Sequence, residues 1–227
     1  MMRERILEQG IIEDRDLVEY YSLMAQRHMG IPCKRILKRV MAKGIETGTI
    51  LDVGTGPGIF PIFLSKSLPG IRFKGIDLSP VMVDIAKKNA AQEDLEDRVA
   101  FEVGSAYSLP CENHSIDLLL CINTLHHLDR PIDFFDEVAR SLKEGGSFVI
   151  VDFRRDVSFM LVGVLNLIWK AFFGKHPKAS RGFLESVRSS YTLKECRDFL
   201  EQSRLKDWKL YTRTIEMWIE SNRSFSP

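Results

Sequence analysis

The sequence has no apolar run long enough to cross a membrane. Its most apolar stretch, residues 157–173, is interrupted by Ser158, Asn166 and Lys170, and it is shorter than the ~20 residues that span a bilayer. No long apolar run of the kind found in a signal peptide stands near the N-terminus. These absences argue against a transmembrane span and predict a cytoplasmic protein.

The sequence also lacks paired cysteines and an excess of charge of either sign. Its four cysteines form no C-x-x-C pair, and no histidine stands at zinc-ligand spacing from two of them. They predict reduced structural thiols and no metal site. Lys and Arg total 32 against 31 for Asp and Glu, a formal net charge of +1. This balance gives no electrostatic reason to expect a nucleic-acid partner.

What is present through the middle of the chain is an alternation of short apolar runs and helical patterns. The predicted strands are residues 49–53, 71–76, 99–103, 116–122 and 147–153, and the predicted helices are residues 59–67, 80–90 and 131–142. Ser79 followed by Pro80 marks a helix start, and Gly145-Gly146 predicts a turn before the fifth strand. Such alternation is typical of a parallel, doubly wound α/β sheet with helices on both faces. Ligands of these sheets lie beyond the carboxyl ends of the strands.

Helical patterns also flank this alternating region. Helices are predicted within residues 3–29 and over residues 32–43, a basic linker over 175–188, a helix over 193–202 and two short strands within 206–219. Residues 157–173 fit a helix with one polar strip. Its apolar faces could pack on the core, cover a substrate pocket, pair with a second subunit in a homodimer, or make peripheral contact with a membrane.

A glycine-rich turn, Asp52 to Gly58, follows the first strand with the spacing G-x-G-x-G. Glycine allows positive φ and lets a ligand approach the backbone, and the helix that follows offers free N–H groups to a carboxylate. A dinucleotide fingerprint needs its third glycine where Ile59 stands, which disfavours a nicotinamide enzyme. Asp77 ends the second strand about 20 residues after the turn, where a carboxylate accepts hydrogen bonds from ribose hydroxyls.

Four segments resemble the class I S-adenosylmethionine-dependent methyltransferases of the small-molecule and ubiquinone-biosynthesis-like kind. They are ILDVGTGPG (50–58), GIDLSP (75–80), GSAYSLPCENHSIDLLLC (104–121) and LKEGGSFVIVDF (142–153). The resemblance covers roughly residues 30–155. Three residues depart from the family pattern: Ser105 stands where Asp is frequent, Ile116 where Phe is usual, and Glu144 where Pro is usual.

The resemblance implies S-adenosylmethionine as cofactor and S-adenosylhomocysteine as product. It assigns the methionine end of the cofactor to Asp52 and the backbone of Gly54, Thr55 and Gly56, the ribose to Asp77, the adenosine to Leu78 and Met82, the adenine to Ser105 and Ala106, and a further contact to Asn123. Two of these residues have a simpler interpretation, since Asp52 could support the turn and Met82 could be core.

The resemblance also implies a Rossmann-like, mostly parallel seven-stranded sheet with an antiparallel C-terminal strand. The chain then forms one methyltransferase domain. Its predicted parts are N-terminal lid helices (1–47), a cofactor-binding core (48–155), an apolar helix and linker insertion (156–190) and a C-terminal helix with strands (191–227).

Two sets of residues are candidates for the reacting end of the site. Tyr20, Tyr21 and Arg27 lie in the predicted lid, where a hydroxyl or guanidinium could bind the methionine carboxylate; the alternative for the tyrosines is that they cap the core. His126 and His127 follow Asn123 and are candidates for a general base, with packing or cofactor contact as the alternative.

The acceptor implied is a small molecule. A hydrophobic acceptor pocket, lined by Phe159, Trp169, Phe172 and Phe173, is a hypothesis that rests on position and apolarity. An RNA or protein methyltransferase of the same fold is an alternative. The charge balance disfavours RNA, and the absence of an Asn-Pro-Pro-Tyr-like segment at residues 121–124 disfavours a base or amide nitrogen as the methylated atom. A non-catalytic protein that binds S-adenosylmethionine remains an alternative.

Overall fold

The computed structural model describes residues 4–7 and 13–222. Its helices are α1 (Arg15–His28), α2 (Gly30–Met41), α3 (Ile59–Ser65), α4 (Pro80–Ala91), α5 (Pro131–Ser141), α6 (Phe159–Phe173), α7 (Ala179–Ser189) and α8 (Leu193–Gln202), with a short 3-10 helix at Leu125–His127. Its strands are β1 (Gly48–Val53), β2 (Ile71–Asp77), β3 (Val99–Val103), β4 (Ile116–Ile122), β5 (Leu142–Phe153), β6 (Trp208–Arg213) and β7 (Glu216–Ser221).

The seven strands form one sheet in the order β3-β2-β1-β4-β5-β7-β6. Strands β1 to β5 pair in parallel, and β7 runs antiparallel to both β5 and β6. Strand β4 is buried along its whole length because helices cover both faces of the sheet. The predicted doubly wound α/β fold, including its antiparallel C-terminal strand, is confirmed.

Each face of the sheet builds its own core layer, because successive side chains of a strand point to opposite sides. Leu118 and Leu120 of β4 belong to a cluster with Ile36 of α2 and Leu64 of α3. Leu119 and Cys121, which alternate with them, belong to a second cluster that contains residues of α5 and α8. The sheet therefore lies between two helical layers, and the carboxyl ends of β1 to β5 share one edge.

Capping residues fix where several helices begin. The Ser79 hydroxyl accepts from the N–H of Met82 at 3.2 Å, and Pro80 occupies the first turn of α4, as predicted. The Asp14 carboxylate accepts from the N–H of Leu17 at 3.2 Å and caps α1. Residues 1–3 and 8–12 of the predicted N-terminal region lie outside the described residues, as do 223–227 at the C-terminus.

Two predicted features are wrong. Strand β5 begins at Leu142, five residues before the predicted start, so Gly145-Gly146 is not a turn between a helix and a strand. The register shift opposite β4, together with a φ of 78° at Gly145, makes it a bulge within the strand.

The second error is the predicted basic linker over residues 175–188, because most of it is helix α7. Phe183 and Val187 lie one helical turn apart on its buried face and pack against Val162 of α6. The basic residues between these apolar positions hid the helical spacing.

Helices α6 and α7 meet the N-terminal helix α1 above the sheet. The Tyr21 ring stacks on Phe173 with centroids 6.0 Å apart, and the Lys178 ammonium lies 2.6 Å from the Asp14 carboxylate. The Trp169 indole N–H donates to the carbonyl of Ala179 at 2.8 Å. We call α1, α6 and α7 together the cover. Within the described residues, no helix combines the length and apolarity needed to cross a bilayer.

Candidate functional site

The glycine-rich turn connects β1 to α3 at the carboxyl edge of the sheet. Gly54 has a φ of 70°, and a Cβ there would lie 2.2 Å from the Thr124 side chain. Gly56 has a φ of 53°, and a Cβ there would meet nothing within 4 Å. Gly54 is therefore required by close packing as well as by backbone conformation, whereas the surface at Gly56 is open to a ligand.

Asp77 connects the end of β2 to this turn. One carboxylate oxygen accepts from the Gly56 N–H at 2.8 Å, and the other accepts from the Ser79 N–H at 2.9 Å. Burial raises the pKa of this carboxyl above its ordinary value, while the backbone N–H donors of Ser79, Gly56 and Leu78 oppose the rise. A half-buried acidic group is thus held in a fixed position beside the open face of the turn.

Asp52 lies deeper, with 1% of its surface exposed. Its carboxylate accepts from the Thr55 hydroxyl at 2.8 Å. Burial raises the pKa of Asp52 to about 7, against the effect of the Thr55 hydrogen bond, and the negative charge of Asp77 adds to the rise. This geometry favours the turn-supporting interpretation of Asp52, and its direct contact with a ligand stays a prediction.

The predicted apolar contacts divide into an exposed and a buried residue. Leu78 is 53% exposed just beyond β2. Met82 is buried and packs with Val18 of α1 and Ile85, which agrees with its interpretation as core. Val103, at the end of β3, is exposed and stands in register with Asp77. The sequence reading missed Val103, although an apolar residue at a strand end was the available signal.

Ser105 and Ala106 follow β3 at the same edge of the sheet. The Ser105 hydroxyl accepts from the N–H of Tyr107 at 3.2 Å, and Ser105 also pairs with Ser108 in an isolated bridge. Ala106 is partly buried and packs against the second core cluster. Both therefore border the site, and their predicted adenine contact remains untested.

The end of β4 is tied directly to the glycine turn. Asn123 adopts a φ of 54°, and its N–H donates to the Val151 carbonyl at 2.8 Å. The next residue, Thr124, donates its hydroxyl to the Gly54 carbonyl at 3.2 Å. Thr124 was missed from the sequence because nothing local marks a contact 70 residues away along the chain.

The two candidate histidines differ sharply in environment. His126 is 2% exposed; its ring Nδ1 lies 2.7 Å from one Asp152 oxygen, and its backbone N–H donates to the other at 2.8 Å. Asp152, near the end of β5, is also buried and was not predicted. His127 is exposed, with its ring 4.1 Å from that of His126. The Asp152 carboxylate therefore fixes the orientation of the His126 ring and holds the backbone of the 3-10 helix Leu125–His127.

Asn89 of α4 connects helix α1 of the cover to the glycine-rich turn, and it was missed from the sequence. The buried Asn89 amide donates to the Ser22 hydroxyl of α1 at 2.9 Å and to the Pro57 carbonyl at 2.7 Å. Tyr20 and Tyr21 stack on His176 and Phe173 respectively. These contacts agree with a packing role for both rings, whereas the Arg27 side chain is exposed.

The four aromatic residues of the hypothetical acceptor pocket do not share one environment. Trp169 and Phe173 stack with centroids 3.9 Å apart on the inner side of α6. Phe159 is 74% exposed and Phe172 is 46% exposed, so both face outward. A single pocket lined by all four is therefore wrong, because α6 places them on different faces.

A cleft of about 640 Å³ lies at the opposite, amino-terminal edge of the sheet. It is lined by the bulged start of β5, including Lys143 to Gly146, and by residues that precede β6. None of the predicted site residues lines it.

Comparison with known proteins finds relatives of the region that contains the glycine-rich turn and the strands after it. Residues 51–150 match a family model described as a methyltransferase domain. Ajmaline N-methyltransferase of Rauvolfia serpentina is 36% identical over 110 residues, which cover 48% of this chain and 38% of that protein. Demethylmenaquinone methyltransferase of Porphyromonas gingivalis is 30% identical over 150 residues, which cover 63% of this chain and 58% of that protein. The chain thus spans less than two thirds of the length of these curated relatives.

Solved structures share the fold over nearly the whole chain. The plantazolicin methyltransferase, determined in complex with S-adenosylhomocysteine, superposes with a TM-score of 0.67 at 19% identity. The match covers 92% of this chain and 91% of that one. At this identity the likeness extends to the fold alone.

Proposed function

We propose that this chain, whose residues 51–150 match the model of a methyltransferase domain family, transfers a methyl group from S-adenosylmethionine to a small-molecule acceptor. The class I S-adenosylmethionine-dependent family predicted from the four motifs is confirmed for this domain. The observation that carries the proposal is the Asp77 carboxylate, which is held by the N–H groups of Gly56 and Ser79 beside the open surface of the turn.

The residues at this edge fit the parts of S-adenosylmethionine chemically. Asp77 supplies carboxylate acceptors for ribose hydroxyls. Leu78 and Val103 offer exposed apolar surface to the adenosine. The backbone of Gly54 and Gly56 suits the polar methionine end, because no Cβ obstructs its approach at Gly56.

The bound cofactor supplies a methyl group that is already activated on its sulfonium. The protein's own residues therefore have to orient the acceptor and exclude water. Asn89 holds α1 against the turn, and the stacking of Tyr21 on Phe173 holds α1 against α6. In the proposal, these contacts keep the cover over the reacting end of the site.

A general base is needed only where the acceptor must lose a proton. Of the two histidines, His127 is the candidate, because its side chain reaches the surface whereas His126 is enclosed and held by Asp152. Desolvation and the neighbouring His126 lower the pKa of His127 to about 3, so its imidazole is neutral and able to accept a proton, but only as a weak base. His127→Ala should then lose turnover while S-adenosylmethionine affinity stays the same. Unchanged turnover would remove His127 from the mechanism.

The acceptor is proposed to be a small, predominantly apolar molecule. The two curated relatives are named for ajmaline and for demethylmenaquinone, and the net charge of +1 does not favour a polyanion. Trp169 and Phe173 give the inner side of α6 an aromatic surface that such an acceptor could contact. The proposal also places the protein in the cytoplasm, in keeping with four cysteines that are all free.

A thermal-shift titration tests the cofactor half of the proposal. S-adenosylmethionine and S-adenosylhomocysteine should each raise the melting temperature, because a ligand that binds only the folded state stabilises it; NAD should leave it unchanged. Stabilisation by NAD alone would overturn the assignment. Transfer of radiolabelled methyl to a panel of apolar acceptors then separates an enzyme from a protein that only binds the cofactor.

A further inference from the structure

Helix α6 presents an exposed apolar face opposite the side that packs against α1 and α7. Val162 and Phe173 are buried, and Trp169 is partly buried. Six apolar side chains on the remaining surface are between 46% and 79% exposed: Phe159, Met160, Val164, Leu167, Ile168 and Phe172. We propose that these six residues, the outer face of α6, dock the protein on the surface of an anionic lipid membrane.

The helical spacing groups these side chains. Residues 160, 164, 167 and 168 recur at intervals of three and four, which places them on one side of the helix. Exposed apolar patches of this kind mark interaction surfaces in folded proteins. Helix α6 has 15 residues, or about 22 Å of length, which suits a helix lying along the interface rather than across the bilayer.

The positive charge around α6 favours an anionic partner. Residues 157–184 contain four basic residues, Lys170, Lys175, Lys178 and Arg181, and no Asp or Glu. All four are exposed, and Lys178 is paired with Asp14. The whole chain is almost neutral, so this segment is a local positive excess. Anionic headgroups complement it, and a Lys beside an apolar face can extend its ammonium into the headgroup layer.

A second copy of the chain fits the same surface less well. A two-fold interface would bring the same patch of each subunit together. The basic residues of both copies would then face one another at the rim of an apolar contact without acidic partners from this segment. Anionic lipid supplies the missing negative charge, whereas a homodimer would concentrate the positive charge.

Membrane docking would also explain why an apolar helix forms part of the cover. The outer face of α6 is the reverse side of the helix whose inner side carries Trp169 and Phe173. An acceptor dissolved in lipid would reach the cover directly from the bilayer. This consequence rests on the proposed function; the docking itself does not.

Vesicle flotation with the full chain, without cofactor or acceptor, tests the docking surface. The protein should float with vesicles of phosphatidylcholine mixed with phosphatidylglycerol and not with phosphatidylcholine alone, and added salt should weaken the binding. Leu167→Glu should reduce the partition coefficient about tenfold or more, since it places a charge on the apolar face. The double variant Lys175→Glu/Arg181→Glu should reduce the partition coefficient by about fivefold or more for each basic residue removed.

Met41→Glu is the matched control. Met41 is 58% exposed on α2 and lies outside this segment, so the variant adds the same charge and should keep wild-type flotation. Leu167→Gln provides a milder test should the charged variant unfold. No flotation on anionic vesicles, or equal loss in Met41→Glu, would overturn the proposal. So would a dimer in light scattering that Leu167→Glu converts to a monomer while vesicle binding is absent.

Discussion

Asp77 is the residue on which the candidate site depends most. Each of its oxygens accepts one backbone N–H, so Asp77→Asn would turn an NH₂ group towards one of two donors. The variant also loses the negative charge offered to ribose hydroxyls. We expect S-adenosylmethionine affinity to fall by about tenfold to a hundredfold, measured by calorimetry. Asp97→Asn, a change of the same kind at an exposed loop position, should leave the affinity unaltered, and an equal loss there would contradict this role.

The raised pKa of Asp52 predicts that the stability of the fold depends on pH. Its ordinary pKa of 3.8 is raised to about 7 by burial, so between these values the folded state holds a proton that the unfolded state releases. Folding is therefore penalised progressively as the pH rises from about 4 to about 7, by up to about 1.4 kcal/mol per pH unit. Below this window the group contributes no such penalty.

Asp52→Asn removes this titration while it keeps an oxygen for the Thr55 hydroxyl. The free energy of unfolding of the variant, relative to the natural chain, should rise between about pH 4 and about pH 7 and then level off. Urea unfolding across this range measures it. A difference that is independent of pH would mean that Asp52 is ionised throughout, and the pKa assignment would fail.

Local pattern explains which site residues were foreseeable. Asp77 and Gly54 stand at motif positions next to strand ends, and their spacing along the sequence is enough to identify them. Thr124, Asn89 and Asp152 act through partners 70, 32 and 26 residues away along the chain. No periodicity or short motif encodes such contacts, because they exist only once the strands are ordered in the sheet.

At the scale of the element, two glycines predict opposite effects of one substitution. Gly145 has a φ of 78° in the β5 bulge, whereas Gly163 lies inside α6, and a Cβ at either position would meet nothing within 4 Å. Gly145→Ala should therefore destabilise the fold by about 1 kcal/mol through backbone strain. Gly163→Ala should stabilise it by up to about 1 kcal/mol through helix propensity.

Chemical denaturation of both variants measures these differences, and each serves as the control for the other. A stabilising Gly145→Ala would show that β5 does not require the bulge. A destabilising Gly163→Ala would mean that the outer surface of α6 is covered in the protein's normal state, for instance by a second copy of the chain.

The elements themselves were largely predictable, and the exceptions have physical causes. The β-α alternation identified strands β1 to β4 to within one residue at each end. Strand β4 is a continuous apolar run, and β2 and β3 alternate apolar and polar side chains, so each carries a recognisable strand pattern. The bulge in β5 escaped prediction because Gly-Gly is a turn signal in sequence, and only pairing with β4 makes it part of a strand. Helix α7 escaped prediction because five of its eleven residues are serine or arginine, and they stand between its buried apolar positions.

On the scale of the whole molecule, the cover joins segments that are far apart along the chain. Tyr21 of α1 stacks on Phe173 of α6, and Asp14 pairs with Lys178. Because Asn89 also ties α1 to the glycine turn, the cover, the turn and the sheet should unfold as one cooperative unit. Phe173 lies at the centre of this connection, whereas its neighbour Phe172 belongs to the outer face of α6.

These adjacent phenylalanines test the unity of the fold. Phe173 is 4% exposed and Phe172 is 46% exposed, so Phe173→Ala should lower the free energy of unfolding by about 3 kcal/mol and Phe172→Ala by less than about 1 kcal/mol. If the cover is part of the cooperative unit, circular dichroism and Trp fluorescence will report a single coincident transition in both variants. Two separate transitions in Phe173→Ala would show that α1, α6 and α7 detach from an intact sheet. The cofactor site would then be built on a core that is stable without its cover.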